Sequence, residues 1–158
     1  HFSRHNKHYL ITSGTTGYLP NPSEVAIADT WHGPFRVLGD PHPHDESRTS
    51  YHSQISSVFQ VPGKKDLYIA CADRWIPDKL HLRYDFYSKA FDLRFTGRGD
   101  EIPALAQAMG VSEQEMADTF ADAGRNTSVS DYVWLPLRFD GEMVYIDWKD
   151  EWKLSDYQ

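Results

Sequence analysis

The sequence has no apolar run near the ~18 residues that a membrane-crossing helix needs. Its mean hydropathy of −0.60 also argues against a helical membrane span. Cysteine is almost missing: Cys71 stands alone, so no disulfide forms within the chain and compartment cannot be read from it. Flanked by Ile69-Ala70 and Ala72, it reads as a small buried strand residue, inert rather than nucleophilic. Positive charge is scarce, with 16 Lys and Arg against 23 Asp and Glu for a net charge of −7. That balance repels a polyanion and withholds the phosphate contacts that dominate nucleic-acid affinity, so nucleic acid is excluded as a partner. The eight histidines, "HPH" among them, lack the i, i+4 pairing or cysteine partners of a zinc site, so no catalytic metal is expected.

Aromatic residues are abundant, at 14% with five Trp and nine Tyr. In a polar chain such rings pack a core or face a planar or amphipathic ligand such as a sugar. At 158 residues the length suits one domain with a real core. The opening "HFSRHNKHYLITSG" reads as a β-hairpin, Phe2 and the run Tyr9-Leu10-Ile11 flanking a turn at Asn6. It begins on a strand with no initiator Met and no leader, as expected of a portion of something longer. "VAIAD", Phe35 to Leu38, "SQISSVFQV", "LYIACAD", "DYVWLPLRF" and "EMVYID" read as further strands. Turns at Gly33-Pro34, Gly39-Asp40-Pro41, Pro62-Gly63 and Asp140-Gly141 separate them. The long loop "GTTGYLPNPSE" invites a functional reading, and "HPHDESRTSYH" reads as an open polar loop. Short strands at this spacing predict an all-β protein of antiparallel sheets.

The strand pattern breaks between Arg83 and Asn126. "DEIPALAQAMG" and "SEQEMADTFADAG" have helical spacing, with Asp100 as a cap, Gly110 and Gly124 as stops, and Ser112 with Glu115 as a capping box. The cadence matches a DNA-reading helix-turn-helix. Its second helix carries Glu113, Glu115, Asp118 and Asp122 and no Lys or Arg, which rejects DNA. Leu105, Met109, Met116 and Phe120 are instead expected to pack on one another or on the sheets. Residues 84–129 then form a helical insertion within one domain spanning 1–158. Asn126-Thr127-Ser128 is an N-glycosylation acceptor pattern.

"HYLITSGTTGYLPNPSEVAIAD", "GPFRVLGDP", "SYHSQISSVFQVPGKKDLYIACADRWIPD" and "YVWLPLRFDGEMVYIDWKDEWKL", in that order, resemble the last part of a family 43 glycoside hydrolase of the exo-β-1,3-galactanase-like branch. The resemblance covers the chain apart from roughly residues 84–129. It implies the last two or so blades of a five-bladed β-propeller that binds sugar at one end of its channel, with the earlier blades missing here. It also implies an inverting hydrolase of terminal β-galactosides. In relatives the general acid is the Glu of a Glu-Ala-Pro segment just upstream of the strand matching Phe2. This chain alone is therefore expected to be inactive. No cofactor is required, and the resemblance leaves room for a structural calcium ion in the complete propeller.

Inversion needs an acid on the departing oxygen and a second group activating water roughly 6.5–9.5 Å away. The resemblance places Gln54 near that water. A neutral amide is a poor proton acceptor, so Gln54 would orient the water, act through its imidic tautomer, or simply bond to its neighbouring strand. Glu46 and His52, in the loop before it, are candidates for the basicity that an amide lacks. By resemblance Thr16, Tyr18 and Asn21 contact the terminal sugar, although relatives commonly carry Trp where this chain has Tyr18. Asp73, Arg74 and Trp75 leave their strand together, either as a substrate rim or as an Asp-Arg surface pair beside a core Trp. Trp134 and Trp148 are expected to be packing residues. The alternative function is a noncatalytic carbohydrate-binding or protein-interaction module using the same loops.

Overall fold

The computed structural model describes residues 1–75, 82–122 and 127–158. Two four-stranded antiparallel sheets carry the chain, each a meander in sequence order. The first is built from β1 (Phe2–Arg4), β2 (Lys7–Ser13), β3 (Ser23–Ala28) and β4 (Arg36–Gly39). The second is built from β5 (Gln54–Gln60), β6 (Tyr68–Arg74), β7 (Asp131–Asp140) and β8 (Met143–Ile146). His5 and Asn6 turn the first hairpin with φ of 47° and 60°, the left-handed pair that matches strand twist. Asp140 pairs with Met143 across the last hairpin, and Gly141 takes φ 58° there.

Side chains alternate across each strand, so each sheet offers one face to a shared core. Phe2, Tyr9, Val25 and Ile27 of the first sheet meet Tyr68, Ala70, Ala72, Val133, Leu135, Leu137, Val144 and Ile146 of the second. The sheets are also tied by polar links. Arg4 grips both carboxylate oxygens of Asp66 while lying 3.9 Å from the Phe139 ring centroid, and the Tyr68 hydroxyl donates to the Ser3 carbonyl at 3.0 Å. The opposite faces look outward and keep large apolar groups in the open: Val37 on the first sheet, and Phe59, Tyr132 and Trp134 on the second. Trp134, expected as a packing residue, is 55% exposed.

Among the described residues, three α-helices lie between β6 and β7: α1 (Tyr84–Phe95), α2 (Ile102–Met109) and α3 (Glu113–Asp122). The Ser112–Glu115 capping box forms, with the Glu115 N–H donating to Ser112 Oγ and the Ser112 N–H donating to the Glu115 carboxylate. Gly110 ends α2 in the left-handed conformation. Asp100 is not the cap of α2; it lies in a 3₁₀ turn (Gly99–Glu101), and Glu101 occupies the cap position without a side-chain bond to the helix, its carboxylate accepting from Arg98 instead. Leu105, Met109 and Met116 pack around the buried cluster of Phe86, Tyr87, Ala90 and Ala106. The Ile76-Pro77-Asp78 end of "ADRWIPD", the Gly124 stop, Asn126 of the acceptor pattern and the Phe120 side chain fall outside the described residues.

Candidate functional site

In both sheets the second-to-third-strand connections and the link between sheets leave from the same end. The loop of residues 14–22, the loop of residues 40–53 and the α1–α3 segment therefore share one rim. Hydrogen bonds and packing join them. Leu19 is buried among the helices with Phe86 and Tyr87, and the Tyr87 hydroxyl donates to the Pro20 carbonyl. Burial pushes the Tyr87 phenol upward, so it stays a donor. Ser50 Oγ donates to the Asn21 carbonyl at 2.8 Å and accepts from the Ser23 N–H at 3.0 Å.

Gln54 sits where these loops meet. Its Nε2 donates to the Gly17 carbonyl at 2.9 Å and the Leu19 carbonyl at 2.7 Å, and its Oε1 accepts from Trp75 Nε1 at 3.1 Å. An indole N–H only donates and a carbonyl only accepts, so the partners fix which end of the amide is oxygen. One Oε1 lone pair remains. Tyr18 and Trp75 meet at 5.2 Å between ring centroids, inclined by 59°, beside that oxygen. Tyr18 is 41% exposed and presents an aromatic surface to the rim. Trp75 is thus held to Gln54 rather than buried in the core. Asp73 and Arg74 do not pair: Asp73 lies opposite Gln54 in the β5–β6 register, and Arg74 donates to the Tyr51 carbonyl at 3.3 Å.

Thr16 and Asn21 are buried at 7% and 1% exposure and spend their polar atoms inside the loop. Asn21 accepts from the Gly14 N–H at 2.5 Å and donates to Thr16 Oγ1 at 2.6 Å, while Thr16 donates to the Leu19 carbonyl at 2.5 Å. They build the loop that displays Tyr18. Glu46 is exposed in the second loop and borders a cleft with Arg83 and Asp85. His52 lines that cleft and a second one with Arg74 and Trp148. Thus Tyr18, Gln54 and Trp75 form one cluster, Arg74 and His52 a neighbouring one, and Glu46 shares a cleft with His52.

The loop read as open is a tightly bonded turn. Arg48, Ser50, Tyr51 and His52 all take positive φ, between 53° and 59°. Such a conformation costs a non-glycine residue roughly 1–2 kcal/mol. The compensation comes from Asp45, whose carboxylate accepts from the N–H groups of Ser47, Thr49 and Tyr51 and from the Ser47 hydroxyl. Burial opposes ionisation of Asp45, yet these donors outweigh it and hold the carboxyl below its usual range. His52 N–H donates to Thr49 Oγ1 at 3.0 Å, and Ser53 N–H to the Thr49 carbonyl at 3.0 Å. Asp45 escaped the sequence reading, although Asp with Ser two residues on is the signature of a side-chain-closed turn.

His52 is depressed below its ordinary value, first by burial and then by the Arg74 guanidinium, with Asp45 pulling the other way. Removing the Arg74 charge by Arg74→Gln is therefore expected to raise the His52 pKa while leaving it under the value of an exposed histidine. An NMR pH titration of the His52 ring protons checks this, and an unchanged midpoint would show that Arg74 does not act on it.

Among the described residues, no group of three or more His, Cys, Asp or Glu side chains is placed to hold a metal ion, and no helix is long and apolar enough to cross a membrane. No protein-family model matches the sequence, and no curated protein matches it. Solved structures do. A family 43 β-1,3-galactosidase superposes with a TM-score of 0.65 at 20% identity, covering 99% of this chain and 23% of its own. A second, in complex with galactodeoxynojirimycin, gives 0.60 at 22% identity, covering 97% and 31%. The exo-β-1,3-galactanase from Clostridium thermocellum gives 0.55 at 22% identity, covering 92% and 22%. This chain thus spans less than a third of these proteins and shares, along nearly its whole length, the fold of one part of the family 43 galactosidases and galactanases.

Proposed function

We propose that this chain is the C-terminal portion of an inverting family 43 glycoside hydrolase that removes terminal β-linked galactose, with its two sheets as the last two of five propeller blades. The observation that carries this reading is the Tyr18–Gln54–Trp75 cluster at the shared rim. It presents an aromatic pair next to a fixed amide oxygen, on a fold shared with β-1,3-galactosidases. Aromatic faces take the apolar face of a pyranose, and a fixed acceptor orients a hydroxyl or a water. A similar structure, an exo-β-1,3-galactanase from Phanerochaete chrysosporium, holds β-1,3-galactotriose.

The hydrogen bonds bear on how Gln54 acts. The imidic tautomer removes a proton from Nε2, which gives up a bond to the Gly17 or Leu19 carbonyl. The remaining Oε1 lone pair accepts from a water without any such loss. Gln54 is accordingly read as a water-positioning residue. The proton from that water passes to a carboxylate outside the described cluster, and the general acid lies on the missing upstream blades. The outward faces with Val37, Phe59, Tyr132 and Trp134 are where neighbouring blades pack, since exposed patches of this kind mark interaction surfaces.

A noncatalytic carbohydrate-binding module is the second reading. It is favoured by the commitment of the Asp45 carboxylate to loop donors. Anomer-resolved proton NMR of β-1,3-galactobiose incubated with the product of the native gene separates the two. The hydrolase reading expects α-galactose to appear first, with no release by this chain alone. Binding without release would establish the module instead.

A further inference from the structure

Arg74 is half-buried in an acidic protein with no carboxylate partner among the described residues. Arg4, Arg36, Arg48, Arg83, Arg98 and Arg138 each have a carboxylate partner, whereas the exposed Arg94 and the half-buried Arg74 have none among the described residues. Of its five N–H donors, one reaches the Tyr51 carbonyl and Nε is buried without a partner. The guanidinium lies 5.4 Å from the centroid of the Trp148 ring, which in turn meets the Tyr51 ring at 5.5 Å. These groups wall a cleft of about 490 Å³ together with His44, Asp45, Ser47 and His52. Asp45 makes no ion pair with Arg74, because its oxygens are occupied by the turn. Trp148, expected as a packing residue, is 41% exposed, and its indole N–H donates to Asp150 at 2.9 Å.

We infer that this cleft is a subsite for a carboxylate-bearing sugar, a uronic acid, with Arg74 taking the carboxylate and Trp148 the pyranose face. Three features select that chemistry. A guanidinium free of ion pairing matches a planar carboxylate. An exposed indole beside it matches a sugar ring. The one carboxylate of the lining, Asp45, turns its oxygens to the loop's own donors, so Arg74 keeps N–H groups free for an incoming carboxylate. The inference rests on reading the adjacent Gln54 rim as a sugar site, and adds an acidic branch or neighbouring residue to the substrate.

The test is an NMR titration of this chain with methyl β-glucuronide, methyl β-galactoside and acetate, following the indole N–H signals of Trp148 and Trp75. The uronide is expected to shift Trp148, while the galactoside shifts Trp75 and leaves Trp148 in place. Arg74→Gln is expected to weaken uronide binding at least about tenfold, the usual weight of a charge-assisted hydrogen bond. Trp148→Ala, at an exposed ring outside the strands, is expected to weaken it several-fold with the fold intact. Uronide affinity unchanged in both variants, or acetate binding as well as the uronide, overturns the subsite. A Trp75 that ignores the galactoside while Trp148 answers the uronide overturns the galactosidase reading and leaves the acidic-sugar subsite standing.

Discussion

Asp45→Ala is expected to lower the unfolding free energy of the chain by about 3 kcal/mol, since hydrogen bonds to a charged group contribute roughly 1.5–3 kcal/mol each and do not add fully. For a domain of this size that is a fall in Tm of about 6–12 °C. The change removes one carboxylate that satisfies three backbone N–H groups and a hydroxyl. Those bonds, with the ones that His52 and Ser53 make to Thr49, offset the cost of Ser50, Tyr51 and His52 in left-handed backbone. Without them the turn relaxes toward ordinary φ, and Ser50 loses its hold on Asn21 and Ser23. A loss under about 0.5 kcal/mol by urea unfolding would mean that the turn holds itself. The same carboxylate sets a pH dependence. Its folded pKa is depressed, so its stabilisation is present above the unfolded value of 3.8 and is lost as pH falls through the lower folded value. His52 adds in the same direction from higher pH. Its folded pKa is also depressed, so below its ordinary 6.5 the unfolded chain binds the proton first. Acid therefore weakens this loop in two stages.

Gln54→Ala, made in a complete parent protein, is expected to lower turnover at least about tenfold, the scale of lost proton-transfer or water-positioning effects. Two consequences of the change can be separated. Loss of Oε1 removes the acceptor facing the water, and loss of Nε2 frees the Gly17 and Leu19 carbonyls that hold the Tyr18 loop. The first lowers kcat with KM little changed, while the second raises KM as the sugar platform loosens. The indole N–H of Trp75, freed from Oε1, should also move in the NMR spectrum. Unchanged turnover would remove Gln54 from the mechanism, and a rise in KM alone would leave it as a loop anchor.

The strands were legible because alternation and turn residues agree locally. Ile69 to Ala72 read as a central strand and β6 is one, between β5 and β7. Helix α1 was not separated from its neighbours because its buried side is made of Phe86, Tyr87 and Ala90 amid Asp85, Lys89 and Asp92, a weak apolar signal. The left-handed turn was hidden for a similar reason: Ser50, Tyr51 and His52 are not residues that announce positive φ, and only the bonds to Asp45 and Thr49 permit it. Gln54, the first residue of β5, was singled out by the resemblance. Its partners lie at residues 17, 19 and 75, separations that no local pattern encodes. Thr16 and Asn21 illustrate the converse, because polar residues in a long loop resemble ligand contacts whether they face out or, as here, bond the loop to itself.

The most direct test of the account is the crystal structure of the native gene product with β-1,3-galactobiose. The account predicts that the two sheets close a five-bladed ring with upstream blades packed on Val37 and on Phe59, Tyr132 and Trp134. The non-reducing galactosyl unit would lie against Tyr18 and Trp75, within hydrogen-bond reach of a water on Gln54 Oε1. A protein whose two sheets stand alone, or a sugar bound away from the Tyr18–Gln54–Trp75 rim, would contradict it.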